Sequence, residues 1–67
     1  MKIEELILGK KGEEVSLDGI SIPLKALKRL QEEGYLSVKP YRDNRTLFFW
    51  GKTCSACLTR EDLLKKA

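Results

Sequence analysis

Histidine is absent from this chain, and only two cysteines and two prolines occur among its 67 residues. Without histidine the usual nucleophile–base pairs cannot form, and a zinc site within one chain lacks ligands beyond the two cysteines. No glycine-rich phosphate loop is present. A chain this short buries only about 60% of its unfolded surface, which leaves little room for a deep substrate pocket. We therefore expect one domain over residues 1–67 that is not an enzyme and holds no cofactor.

Long apolar runs are also missing, since no stretch approaches the roughly 20 residues that a membrane span needs. No apolar segment typical of a signal peptide follows Met1. These absences predict a cytoplasmic protein with no membrane partner.

The charge that is present is unevenly distributed. The chain carries 13 Lys and Arg against 10 Asp and Glu, for a net charge of +3. Residues 1–24 hold three positive and five negative side chains, whereas residues 25–52 hold seven positive and three negative ones. A basic middle segment is typical of contact with nucleic-acid phosphates, and a solvated surface rich in lysine is the alternative explanation.

Apolar spacing and capping residues predict three helices. The first is short, runs from Ile3 and should end at Gly9, and the last covers residues 60–66 behind Thr59 as its N-cap. The longest covers residues 21–33, with Ser21 as its cap and a proline tolerated in its first turn. The side opposite its leucines carries Lys25, Lys28 and Arg29 together with Glu32.

The strand patterns are shorter. Residues 14–17 alternate weakly between polar and apolar, and residues 38–50 predict a hairpin that turns at Asp43-Asn44. The hairpin register places the following side chains on one face: Leu36, Val38, Leu47 and Phe49. The other face carries Lys39, Tyr41, Phe48 and Trp50. Because both faces hold large apolar groups, one should pack on the helices and the other must meet something else.

Residues 27–36, Leu27-Lys28-Arg29-Leu30-Gln31-Glu32-Glu33-Gly34-Tyr35-Leu36, resemble the end of a winged-helix recognition helix. In that family two leucines three apart precede a glycine and an apolar pair that enters the wing. The resemblance extends over residues 3–50 and implies a small α+β, winged-helix-like domain. The chain departs from the family where only Asp18-Gly19-Ile20-Ser21 is available for the second helix, which is therefore shortened or missing.

By this resemblance the domain is a DNA-binding protein, a small transcription regulator or an architectural binder of double-stranded DNA. The recognition helix would enter the major groove, and the hairpin tip would reach the minor groove or its phosphates. The implied DNA contacts are Lys25, Lys28, Arg29, Lys39, Arg42 and Arg45. Degenerate members of the superfamily bind proteins instead, so a protein-interaction module is the alternative.

The aromatic residues of the hairpin allow a further alternative. Tyr41, Phe48 and Trp50 lie among cations, and such rings can stack unpaired bases in a binder of single-stranded nucleic acid. The competing interpretation, which we favour from the sequence, is burial in the core or in a dimer, with Leu58, Leu63 and Leu64 as the cover.

Cys54 and Cys57 form a CxxC motif with three possible states. They can form a local disulfide or stay free thiols. Alternatively, two chains can pool their pairs around a shared zinc ion, which would make a homodimer. The sequence leaves these possibilities open.

Overall fold

Two antiparallel sheets and three helices form a small α+β domain in the computed structural model, which describes residues 1–8, 12–42 and 44–67. The elements in chain order are α1 (Ile3–Ile7), β1 (Glu14–Leu17), β2 (Ile20–Pro23), α2 (Leu24–Glu33), β3 (Tyr35–Pro40), β4 (Thr46–Gly51), β5 (Ser55–Thr59) and α3 (Arg60–Lys66). Gly9, the predicted end of the first helix, and Asp43, half of the predicted hairpin turn, lie outside the described residues.

The first sheet is a hairpin of β1 and β2, and β2 corrects the prediction that residues 21–23 begin a helix. Apolar residues alternate on both sides of Asp18-Gly19, with Val15 opposite Ile22. Asp18 and Gly19 have φ of 52° and 82°, which are the two positive values that a tight hairpin turn of this kind requires. Ser21 is therefore not a helix cap, and its hydroxyl donates to a Glu14 carboxylate oxygen.

Helix α2 starts at Leu24, three residues later than predicted, with the extended Pro23 as its N-cap. It ends as predicted at Gly34, whose φ of 110° is left-handed and whose N–H donates to the Gln31 carbonyl oxygen. Its buried side consists of Ala26, Leu27 and Leu30.

The β3–β4 pair of the second sheet has the register predicted for the hairpin, with Val38 opposite Phe49. A bulge between Tyr35 and Ser37 changes that register at the start of β3. The inner position next to Phe49 is consequently filled by Tyr35, whose ring packs edge-on against it at 6.5 Å. Leu36 is 49% exposed, so its predicted place on the inner face is wrong.

Strand β5 is a third strand that the sequence prediction lacks, and it pairs antiparallel with β4. The chain then enters α3 through a capping box in which the Asp62 N–H donates to the Thr59 hydroxyl and the Thr59 N–H donates to the Asp62 carboxylate. The predicted bounds of this last helix, residues 60–66, are confirmed.

The core lies between the helices, the β1–β2 hairpin and one face of the three-stranded sheet. Its members are fully or almost fully buried apolar side chains, namely Ile3, Leu6, Val15, Ile20, Ile22, Ala26, Leu27, Leu30, Val38, Leu47, Phe49 and Leu63. In the described parts of the chain, no helix combines the length and apolar character that crossing a membrane requires.

Candidate nucleic-acid interface

Successive side chains of a strand point to opposite faces, so the strands that contribute Val38, Leu47 and Phe49 to the core also present a second face. We call this second face, which points away from the core, the outer face. Its described side chains are Ser37, Lys39, Tyr41, Thr46, Phe48, Trp50, Ser55, Cys57 and Thr59. Tyr41 extends the ladder beyond β3 because its N–H donates to the Thr46 carbonyl oxygen at 3.0 Å.

Three aromatic rings form a row across this outer face. The ring centroids of Phe48 and Trp50, two residues apart on β4, are 5.5 Å apart with an interplanar angle of 19°. Tyr41 continues the row, with its centroid 5.9 Å from that of Phe48 and an interplanar angle of 31°. Phe48 and Trp50 are partly exposed and Tyr41 is 40% exposed. The predicted cover is wrong, because Leu63 lies in the core and Leu64 is 49% exposed.

Positive side chains lie over these rings. The Lys39 Nζ is 5.7 Å from the Phe48 centroid and 5.8 Å from the Trp50 centroid. The Arg42 Cζ is 5.4 Å from the Tyr41 centroid. These distances suit cation–π attraction. None of the outer-face side chains named above is acidic, so the face combines ring surface with positive charge alone.

The six predicted DNA contacts do not share one surface. Lys39 and Arg42 accompany the rings of the outer face. The exposed cations of α2, namely Lys25, Lys28 and Arg29, belong to a helix whose buried side packs toward the opposite face of the sheet. Arg45 lines a groove with Arg60 and Leu64 at the end of the sheet.

The two cysteines are free thiols whose side chains point to opposite faces of the three-stranded sheet. Cys57 lies opposite Phe48 and is exposed on the outer face. The Cys54 carbonyl accepts from the Gly51 N–H at 2.8 Å, which continues the ladder and turns the Cys54 side chain the other way. A local disulfide would therefore require rebuilding this end of β5. Among the described residues, no group of three or more His, Cys, Asp or Glu side chains is arranged to hold a metal ion.

The contribution of β5 to the outer face is what the sequence prediction missed. A weak signal exists, since Ala56 and Leu58 alternate with the more polar Ser55, Cys57 and Thr59. The row of Tyr41, Phe48 and Trp50, in contrast, follows directly from the predicted hairpin register.

Comparison with protein-family models, with curated proteins and with solved structures finds no match for this chain.

Proposed function

We propose that this domain binds unpaired nucleic acid, either DNA or RNA, on the outer face of its three-stranded sheet. The observation that carries the proposal is the row of Tyr41, Phe48 and Trp50 with Lys39 and Arg42 over the rings and no acidic side chain among them. Base–aromatic stacking contributes about 1–3 kcal/mol per base and tolerates any base sequence. Such a surface suits a strand whose bases are already unpaired.

The residues have separate roles in this proposal. Phe48 lies in the middle of the row and contacts both other rings. Trp50 and Tyr41 lie at its two ends, and each has one ring neighbour in the row, so each has ring surface available for a base. Lys39 and Arg42 attract the phosphates that connect the stacked bases. Strand β5 supports the proposal further, because it widens the surface beyond the single hairpin that the sequence predicts.

Trp50 reports on this interaction directly. We expect a short oligothymidylate to quench Trp50 fluorescence in the full chain, with an affinity that falls as salt rises. Replacing Lys39 by Ala should weaken binding and reduce the slope of log affinity against log salt by about 0.7, the value for one lost phosphate contact on a single strand.

Lys25→Ala is the matched control, because it removes the same charge from the exposed side of α2. It should leave quenching and salt dependence close to those of the unmodified chain. Absence of quenching, or equal loss in the two variants, would exclude the outer face as the binding surface.

Duplex DNA is a second candidate, supported by one specific observation. Lys25, Lys28 and Arg29 are all exposed on α2, and none takes part in the Glu33–Lys66 ion pair, the salt bridge found in the described part of the chain. We infer a winged-helix-like fold from the order of α2 and the β3–β4 hairpin and from the left-handed Gly34. In such a fold α2 is the recognition helix that enters the major groove of the duplex. The domain would then act as a small transcription regulator or architectural protein.

A variant with Lys25, Lys28 and Arg29 all replaced by Ala separates the two candidates. If a duplex binds more tightly than the unpaired strand, and replacing the three α2 cations by Ala abolishes that binding, the duplex candidate is correct. If the duplex binds only weakly and the α2 variant is unaffected, it is wrong.

A further inference from the structure

The strand β5 occupies an open edge of the three-stranded sheet and pairs only with β4 in the described chain. Hydrogen-bonded pairs alternate along an antiparallel ladder. Because Cys54 bonds to Gly51, the backbone groups of Ala56 and Leu58 face β4, and those of Ser55 and Cys57 face outward. No described backbone group bonds to these outward N–H and C=O groups.

The opposite edge of the sheet is protected. The Met1 ammonium donates to the Val38 carbonyl at 2.8 Å, and the Val38 N–H donates to the Met1 carbonyl at 2.8 Å. Lys2 forms an isolated antiparallel bridge with Ser37, and β3 also carries a bulge and ends at Pro40. Bulges, prolines, charges and covering segments are the usual means by which proteins prevent pairing at a sheet edge.

The β5 edge has none of these protections. The segment Ser55–Thr59, Ser-Ala-Cys-Leu-Thr, contains no proline and no charged residue, and its pairing with β4 shows no register shift. A regular, uncharged edge with free backbone groups is a template for another strand.

We propose that a second copy of this chain pairs its β5 antiparallel with this β5, about a two-fold axis at Cys57, to form one continuous sheet across two protomers. A two-fold interface must be self-complementary. Here it is, because the axis pairs the outward N–H and C=O groups of each Cys57 with those of its counterpart and places each Ser55 opposite the other protomer's Thr59, with no charged side chain in the paired strands. The same axis directs the exposed Lys52 of each protomer toward the exposed Glu61 of the other. A second subunit would also bury additional surface of this short chain, which adds to its stability.

The axis places each Cys57 opposite its counterpart, with the Cα atoms about 5.5 Å apart as in a hydrogen-bonded antiparallel pair. Both thiols then lie on the same side of the joined sheet, which is the side of the two outer faces.

Sedimentation of the full chain over a concentration series tests the pairing. We expect the mass to rise to twice that of one chain, and Cys57→Lys to keep the chain monomeric because it places two ammonium groups directly opposite each other. Cys57→Ser is the matched control and should still dimerise. A wild-type chain that stays monomeric throughout the series would overturn the proposal.

A short bis-maleimide gives a second measurement that does not depend on the folding of the lysine variant. Each maleimide adds one thiol across its double bond. One reagent molecule therefore links the two Cys57 side chains near the axis through two thioether bonds. The Cys54→Ser chain should form this cross-linked dimer, and the Cys57→Ser chain should not. Linkage that depends on Cys54, with none through Cys57, would contradict the placement of the axis.

Discussion

The inner and outer faces of the three-stranded sheet are built by alternate residues of the same strands, yet their environments differ completely. Phe49 is fully buried, while its neighbour Phe48 is partly exposed beneath the Lys39 ammonium. Two identical side chains, adjacent in sequence, therefore contribute to different properties. On this sheet the inner residues therefore contribute to the core, and the outer residues remain open to solvent.

Phe49→Ala should have the largest effect. It removes a fully buried ring from the core, which costs about 3–5 kcal/mol of unfolding free energy and can unfold a domain this small. Urea unfolding followed by circular dichroism measures the change. Phe48→Ala is the control and should cost much less, and equal destabilisation by the two variants would remove the distinction between the faces.

Gly51→Ala should also destabilise the domain through the inner side of the sheet. A Cβ on Gly51 would lie 2.1 Å from the Gly34 carbonyl oxygen and 3.1 Å from the Cys54 Sγ, so backbone must move. We expect a loss of about 1–3 kcal/mol, near the upper limit, measured by thermal unfolding. Gly12→Ala, where the nearest atom would be 3.7 Å away, should be nearly neutral, and similar losses at both positions would disprove the close approach.

Phe48→Ala should act on the outer side by weakening binding more than folding. Loss of the central ring leaves Trp50 and Tyr41 without the ring between them, and we expect the affinity for an unpaired oligonucleotide to fall by about 1–3 kcal/mol. Fluorescence anisotropy of a labelled oligonucleotide measures this. Leu8→Ala removes an apolar side chain that is 77% exposed at the end of α1 and does not belong to the sheet, so it should leave affinity unchanged.

Thr59→Ala should have the smallest effect, because it removes one helix cap and costs about 1 kcal/mol. Hydrogen bonds from the Thr59 backbone N–H and hydroxyl hold the pKa of Asp62 below its ordinary value of 3.8. A carboxyl with a lowered folded-state pKa contributes stability above the unfolded-state pKa and loses that contribution as pH falls through the folded-state pKa. Acidification below about pH 4 should therefore destabilise the unmodified chain more than Thr59→Ala, and identical pH profiles would contradict this.

The elements that the sequence predicts correctly depend on interactions within a few residues. Helix α3 follows from the capping box at Thr59, and the end of α2 follows from Gly34. The register of β3 against β4 follows from the alternation of side chains that the sequence predicts for this hairpin. The β1–β2 hairpin had an equally local signal, Asp18-Gly19 between alternating apolar residues, so its omission is an error of interpretation.

The candidate site could be predicted only in part. The hairpin register places Lys39, Phe48 and Trp50 on one face, and the structure brings them together. That this face lacks a helical cover could not be predicted, because the position of Leu63 in the core depends on how α3 packs against β2 and α2. The six predicted cations were grouped by the resemblance to a winged helix, and the layered fold divides them.

The ends of α2 and α3, the net charge and the alternation of side chains along the β3–β4 hairpin follow from the sequence, since these depend on neighbouring residues and backbone geometry. The pairing of β5 with the sheet, the bulge that exposes Leu36 and the open position of the aromatic rings appear first in the folded domain. These features depend on hydrogen bonds and packing between segments that are distant along the chain. Their free energies therefore cannot be inferred from any one segment alone.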